Sequence, residues 1–516
     1  MVTNMKKILT IILILCSVAS FGQMRGGAQY DPGAARKNLS NVDASATPSM
    51  KSITLSDKVQ AAWADILGDI YASGPVKVSA GTAAAPAYTF STDPDTGIYS
   101  PGANSVGITT GGAERVRVDN YGLNDPELNS WIEAINGFNP KRWGVKIAKA
   151  NADPAARSEY LYDAVGMTPV TMDFASNTIS YGDWKPFCDA INRPVMVNPD
   201  GSVAYELDPN DQTKRIDGTA SGISSTTHSL NAMAEFKRLW LRTYEDANYQ
   251  YIIFSNVQYD ENYHANAFTA ADGTIRDRMY HAMFEGSNVD SKLRSLATGA
   301  MMVSQTAATE ITYAEANGAG WHINYKSQRD FITYLLALIS KSTNSQAVFG
   351  QGNSNSATYI APGALKATGR FWGDDATDAA VKVFFIEHFW GNYWKRLSGL
   401  LYNDAAHVLI KASAPYSLTG VGYTDTGITP TGTSGQYITA GTLTDAGFIP
   451  TTAGGSDSTY FADALYYATP VAGVFRVARV GGSRGDAGEC GSWACALADA
   501  GVAYTNVGAS LSFLKP

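Results

Sequence analysis

Three stretches carry a hydrophobic pattern clear enough to assign an element. Near the C terminus Val507, Ala509, Leu511 and Phe513 alternate with smaller or more polar residues, the period of two of a half-buried strand. Between Tyr325 and Lys341 the residues Phe331, Leu335, Leu338 and Ile339 recur at helical spacing, which predicts a core-facing helix with Ser327 as candidate N-cap. From Ser56, another plausible N-cap, Val59, Trp63, Ile66 and Ile70 share one face of an amphipathic helix over 56–72. That helix packs on the next domain, the commoner case, or on copies of itself.

Elsewhere the pattern is of short strands and turns. Asp-Pro, Pro-Gly and Gly-Gly pairs punctuate residues 87–119, and Asn198–Gly201 and Asp208–Asn210 separate β-like runs such as Tyr251–Phe254. The Gly/Thr-rich run 417–447 reads as a long loop pair. No period of about 20–50 residues recurs, which excludes a repeat architecture. The class expected is α+β, mostly β.

The N terminus follows a different logic. Lys6-Lys7, the apolar run Ile8–Val18 and small residues near Ala19 to Gly22 read as a secretory signal peptide, too short to span a membrane. Leu15 before Cys16 is not the small residue a lipid-anchor site needs. Met24 is an alternative start that would remove the signal. Residues 23–50 are polar and read as a flexible leader. The expected division is therefore 1–22 signal, 23–72 leader and helix, 73–122 a small β module, 123–310 a β-rich middle domain and 311–516 a C-terminal binding domain.

Composition narrows the function. Charged residues make up 17% of the 516, the net charge is −8, and no Lys/Arg run occurs, which argues against nucleic acid as a partner. The 28 tyrosines and 10 tryptophans suit contact with proteins or sugars, although most should fill β-rich cores. Of four cysteines, Cys188, Cys490 and Cys495 would remain after signal removal, too few for a disulfide scaffold. Cys490 and Cys495 are five apart and are a candidate disulfide, or are free.

Most motif matches have a blander explanation. Gly481–Gly485 fits G-x-S-x-G, but no histidine follows His407, so the order of a hydrolase triad cannot form. Arg484-Gly485-Asp486 is a chance integrin-type tripeptide, and Asp93, Asp95 and Asp119 are explained by turn chemistry better than by calcium. Glu206, Asp208 and Asn210 lack the partner strings of a calcium-dependent lectin site. The six histidines show no metal spacing, and His388, beside Glu387 in an aromatic strand, reads as a satisfied core histidine. No metal, cofactor or catalytic residue is expected, and the protein is read as a non-enzyme.

The tail 480–516, rich in Gly, Ala and Ser, draws these readings together. Its opening at Arg479–Ser483 and its close at Gly508–Phe513 resemble the variable region of C-type-lectin-fold proteins diversified by retroelements. Ile339–Gly352, Ile386–Trp394 and Gly420–Tyr423 resemble framework segments of the same family, and 87–119 is similar to a phage tail-fibre module. The resemblance implies a C-type-lectin-like domain over 311–516 that displays a hypervariable face to a protein or carbohydrate receptor. It further implies adenine-directed mutagenesis yielding NNC codons, so that Glu489 and Trp493 are fixed. The face it implies comprises Ser483, Arg484, Asp486, Cys490, Ser492, Trp493, Ala494, Ala496, Ala498, Asp499, Val502, Tyr504 and Asn506. Tyr504, Arg484 and Trp493 would be its strong anchors.

The resemblance allows a homotrimer, which the 56–72 helix could support. It places the protein at a phage tail tip, or at the cell surface or outside the cell if the signal is used. A related branch with the same fold, the formylglycine-generating copper oxidases, uses two cysteines at the separation of Cys490 and Cys495. Here the pair sits further from the Gly-Gly opening than in that branch.

Overall fold

The computed structural model describes residues 79–119, 122–124 and 140–516. The expected signal, leader and 56–72 helix lie outside the described residues. The chain divides into two compact units, Met1–Pro126 and Glu127–Pro516. Strands dominate the described residues, joined by the helices Lys185–Ile191, Ala307–Glu315, Lys326–Ser340 and Ser345–Phe349. The molecule is α+β and mostly β.

In the first unit, Tyr88–Phe90, Asp93–Tyr99, Val106–Thr110, Ala113–Asp119 and Gly122–Asn124 form an antiparallel sheet in sequence order. Gly111 and Gly112 turn one hairpin, both at positive φ, which a two-residue turn of this hand requires. Asp93 and Asp95 sit on the second strand and not, as expected from their sequence, in a turn.

In the second unit three sheets surround one helix. A six-stranded sheet runs in the order Val203–Glu206, Asn192–Val197, Asn231–Lys237, Arg278–Ala282, Leu511–Phe513, Trp321–Ile323. A four-stranded sheet runs Trp240–Glu245, Tyr249–Ser255, Arg142–Ala148, Ser158–Tyr162. A ten-stranded sheet is built around Trp394–Tyr402, Arg476–Val480, Cys495–Asp499 and Ala464–Tyr467. The expected loop pair at 417–447 is partly sheet, because Gln436–Thr444 pairs with Gly447–Gly455 as a long hairpin.

The division expected at 310/311 falls inside the helix Ala307–Glu315. Two features bind what would have been separate halves. The C-terminal strand Leu511–Phe513 pairs with Arg278–Ala282 on one side and Trp321–Ile323 on the other. The helix Lys326–Ser340 sends Phe331 among Phe236, Phe254 and Phe268, with ring centres 6.1, 5.3 and 5.2 Å away in edge-on contact.

That helix is buried on nearly every side, including Gln328 and Arg329, where the sequence pattern called for one core-facing stripe. Its N-cap is Tyr325, with no side-chain cap, so Ser327 lies inside the first turn instead of capping it. The C-terminal strand is likewise buried on both faces: Leu511, Ser512 and Phe513 are all at 0% exposure. The half-buried expectation fails because the strand is interior to its sheet.

His388 is buried as expected but is not satisfied: neither ring nitrogen has a hydrogen-bond partner in the protein. Burial first, and the Lys395 charge second, push its pKa down to about 3. The folded state holds it neutral, whereas the unfolded chain takes up a proton below the ordinary value of 6.5. Its contribution is therefore intact above that value and is lost as the pH falls. Relative to a His388→Leu variant, the native protein should lose about 2 kcal/mol of stability between about pH 6.5 and about pH 5. Urea unfolding of both proteins at the two pH values checks this, since terms common to both cancel.

Candidate functional site

The strand Cys495–Asp499 organises the tail, and its period of two separates two environments. Cys495 and Leu497 face inward and join the main core with Leu465, Ala478, Val480 and Leu397. Ala494 and Ala496 face the other way, into a small cluster with Trp394 and Val507 that Tyr466 and Tyr504 flank. The register brings these side chains together, because Ala496 lies opposite Tyr466 on one neighbouring strand and opposite Arg479 on the other. Trp394 lies opposite Val507 in a parallel pairing.

The result is a patch with a floor of small side chains and a rim of large ones. Trp394 and Tyr466 meet edge to face at 6.0 Å. The Arg479 guanidinium lies 5.6 Å from the Trp394 ring and 5.3 Å from the Tyr504 ring. The Tyr466 hydroxyl donates to Glu489, and burial, followed by that carboxylate, raises the phenol's pKa. Burial also raises Glu489 above the ordinary carboxylate range. Nearby, Arg484 covers the Tyr359 ring at 4.4 Å, and Tyr359 stacks on Tyr393 at 3.9 Å.

Beside the patch, within 4.0 Å of Arg479, lies a buried ion cluster. Arg396 gives Nε to Asp499 at 2.8 Å and Nη1 to Glu310 at 2.6 Å, and all three side chains are at 0% exposure. It also donates to the carbonyls of Gln305 and Val502. Asp499 accepts from the Gly501 amide at 2.7 Å. The cluster thus ties the helix Ala307–Glu315 and the loop 500–506, which carries Tyr504, to the sheet. Burial outweighs the Arg396 charge at Glu310 and raises its pKa to about 7.

The expected face must be corrected. Of its thirteen residues Ser483, Cys490, Ser492, Trp493, Ala494, Ala496 and Asp499 are buried. Arg484, Asp486, Ala498, Tyr504 and Asn506 are half-buried, and Val502 is exposed. Trp493 is no anchor for a ligand. Its ring packs inside against Phe448, Phe461 and Tyr334, at 4.9, 5.1 and 5.8 Å. The Ser492 amide donates to Ser345 and its carbonyl accepts from Thr333.

Ser483 is fastened by its amide and its hydroxyl to Asp486, at 2.6 and 2.8 Å, which makes G-x-S-x-G a turn. The same bonds and the Arg484–Ser356 carbonyl contact tie down both charged members of the Arg-Gly-Asp string. The physical reason for the correction is that the strand is interior to a large sheet covered on both sides.

Cys490 and Cys495 do not form the candidate disulfide; both are free and buried. Burial pushes the Cys495 thiol up to about 12 and raises Cys490 as well, away from the thiolate form that soft-metal ligation uses. Among the described residues, no group of three or more His, Cys, Asp or Glu side chains is placed to hold a metal ion.

Several residues of the patch escaped the sequence reading. Trp394 and Arg479 enter the sequence reading only through their family-like segments, and Tyr466 and Tyr359 not at all. The alternation of Leu465 with Tyr466 was a usable signal, but strand pairing was needed to bring it to Ala496. Compared with known proteins, the chain matches no family model and no curated protein.

Proposed function

We propose that this chain is a non-enzymatic receptor-binding protein whose recognition surface is the alanine-floored, aromatic-rimmed patch on the Cys495–Asp499 strand. The observation that carries the reading is the separation of the two sides of that strand. Side chains at 494 and 496 meet the patch, whereas 495 and 497 hold the core. A tail so arranged can change its half-buried and exposed positions, Arg484, Ala498, Val502, Tyr504 and Asn506, and leave the buried ones alone. That is the behaviour asked of a C-type-lectin-like domain diversified by a retroelement.

Binding energy in such surfaces concentrates in a few aromatic and arginine side chains. Here those are Tyr504, Tyr466, Arg479 and Arg484 around a floor too small to add much. Monovalent affinity for a protein or carbohydrate receptor is expected to be weak and to need several copies acting together. The tail-fibre-like sequence at 87–119 favours a phage tail tip. The signal-like segment from Lys6 to Gly22 favours a second reading, an exported bacterial surface adhesin with the same patch.

Two observations test the proposal. The flanking DNA should hold a near-copy of the tail's coding sequence, differing mainly at adenines, beside a reverse transcriptase gene. Tyr504→Ala should weaken binding of the purified protein to receptor-bearing cells at least tenfold, about 1.4 kcal/mol, with an unchanged melting temperature. Undiminished binding would remove the patch from recognition.

A further inference from the structure

We propose that the outer face of the four-stranded sheet Trp240–Glu245, Tyr249–Ser255, Arg142–Ala148, Ser158–Tyr162 is a second binding surface, and that it takes a neutral glycan chain. The sheet has one side in the core, through Val145, Ile147, Ile252, Phe254 and Tyr160. On the other side the register lines up Tyr244, Tyr251, Lys146 and Glu159 in a single rung across all four strands. Tyr244 and Tyr251 are stacked at 4.4 Å with planes 4° apart, and Tyr249 stands 6.2 Å from Tyr251. At the end of the face Arg142 lies between the rings of Tyr162 and Tyr259, 4.1 and 4.5 Å from their centres. Both of those rings are 42% exposed.

The charges on this face choose the ligand. The cations are Arg142, Lys146 and Arg242; the carboxylates among them are Glu159, Asp246 and Asp260. Lys146 pairs with Glu159 at 3.0 Å and Arg242 with Asp260 at 3.6 Å. The Tyr251 hydroxyl donates to Asp246 at 2.8 Å. Equal numbers of opposite charges leave no field to attract a polyanion such as nucleic acid or an acidic lipid surface. The cores of protein interfaces are depleted in Lys, Glu and Asp, which are interleaved with the rings here. Arg242 and Lys146 also lie over the rings of Tyr244 and Tyr249, each at 4.8 Å, so the rings are held upright in a fixed row with Tyr162 and Tyr259 exposed at its end. What remains is a ligand that packs apolar patches on that row and on the exposed rings and exchanges hydrogen bonds with fixed donors and acceptors of both kinds, which is the chemistry of an uncharged polyhydroxylated chain.

The surface is independent of the tail patch, and its test keeps the two apart. The full-length protein would be run in native gels containing dextran, yeast mannan or xyloglucan, with heparin as the polyanion probe. At least one neutral polysaccharide should retard it, and retardation should survive about 1 M salt, where charge attraction is screened. The double variant Tyr244→Ala/Tyr251→Ala should lose at least tenfold in affinity. Tyr259→Ala, a change at an exposed ring, should also weaken retardation and guards against a folding defect in the double variant. Tyr504→Ala should be retarded like the native protein. Retardation by none of the neutral polysaccharides, retardation by heparin alone, or full retardation of both tyrosine variants would overturn the proposal.

Discussion

Arg396→Ala is expected to destabilise the protein by about 3–5 kcal/mol, because it leaves buried Glu310 without its cation and Asp499 with only Arg479, 4.0 Å away. Glu310 and Asp499 are fully buried and each receives a charged hydrogen bond from this one guanidinium. The carbonyls of Gln305 and Val502 lose their donor in the same change. Lysine is no substitute, since a single ammonium cannot reach both carboxylates and both carbonyls with a planar fork. Removing Glu310 as well, in Arg396→Met/Glu310→Leu, should recover part of the loss, because one buried charge is then gone. Chemical unfolding of the three proteins measures this, and a loss below about 1 kcal/mol for Arg396→Ala would show that the cluster is not what anchors the 500–506 loop.

Gly491→Ala is expected to cost about 2–6 kcal/mol, combining backbone strain with displacement of a buried carboxylate. Gly491 has a φ of +150°, and a Cβ there would lie 2.0 Å from Asp463 Oδ1. Asp463 cannot simply move, since its other oxygen accepts the Trp493 amide at 2.7 Å inside the core. The glycine thus keeps open the space in which Asp463 clamps the turn leading into the Cys495–Asp499 strand. Gly485→Ala is the internal control: nothing lies within 4 Å of its added methyl, and its cost should stay below about 0.5 kcal/mol. Thermal melting of the two variants side by side gives the comparison.

The sequence showed local periodicity well and sheet membership poorly. The helix at 326–340 was visible from Phe331, Leu335, Leu338 and Ile339, because helical contacts are set within a few residues. Its all-round burial was not visible, since Gln328 and Arg329 read as a solvent face until the surrounding sheets are known. The strand at 511–513 was legible as a strand. Its interior position depends on pairing with Arg278–Ala282, more than two hundred residues earlier in the chain. The same limit explains the tail. Ala494 to Ala498 read as an outward face because small residues match a tolerant surface and a covered sheet equally well. Burial by Trp394, Tyr466 and Arg479 is a property of neighbours that the tail does not contain.

The most direct test is a saturation scan of residues 484–506 with retained folding as the readout. Arg484, Ala498, Val502, Tyr504 and Asn506 should accept most substitutions with little change in folded yield, and Cys495, Leu497 and Asp499 should accept few. Leu497→Ala alone should cost about 2–5 kcal/mol. If Leu497 proved as replaceable as Ala498, the strand would not divide into a changeable side and a fixed one, and the recognition surface would have to be sought elsewhere.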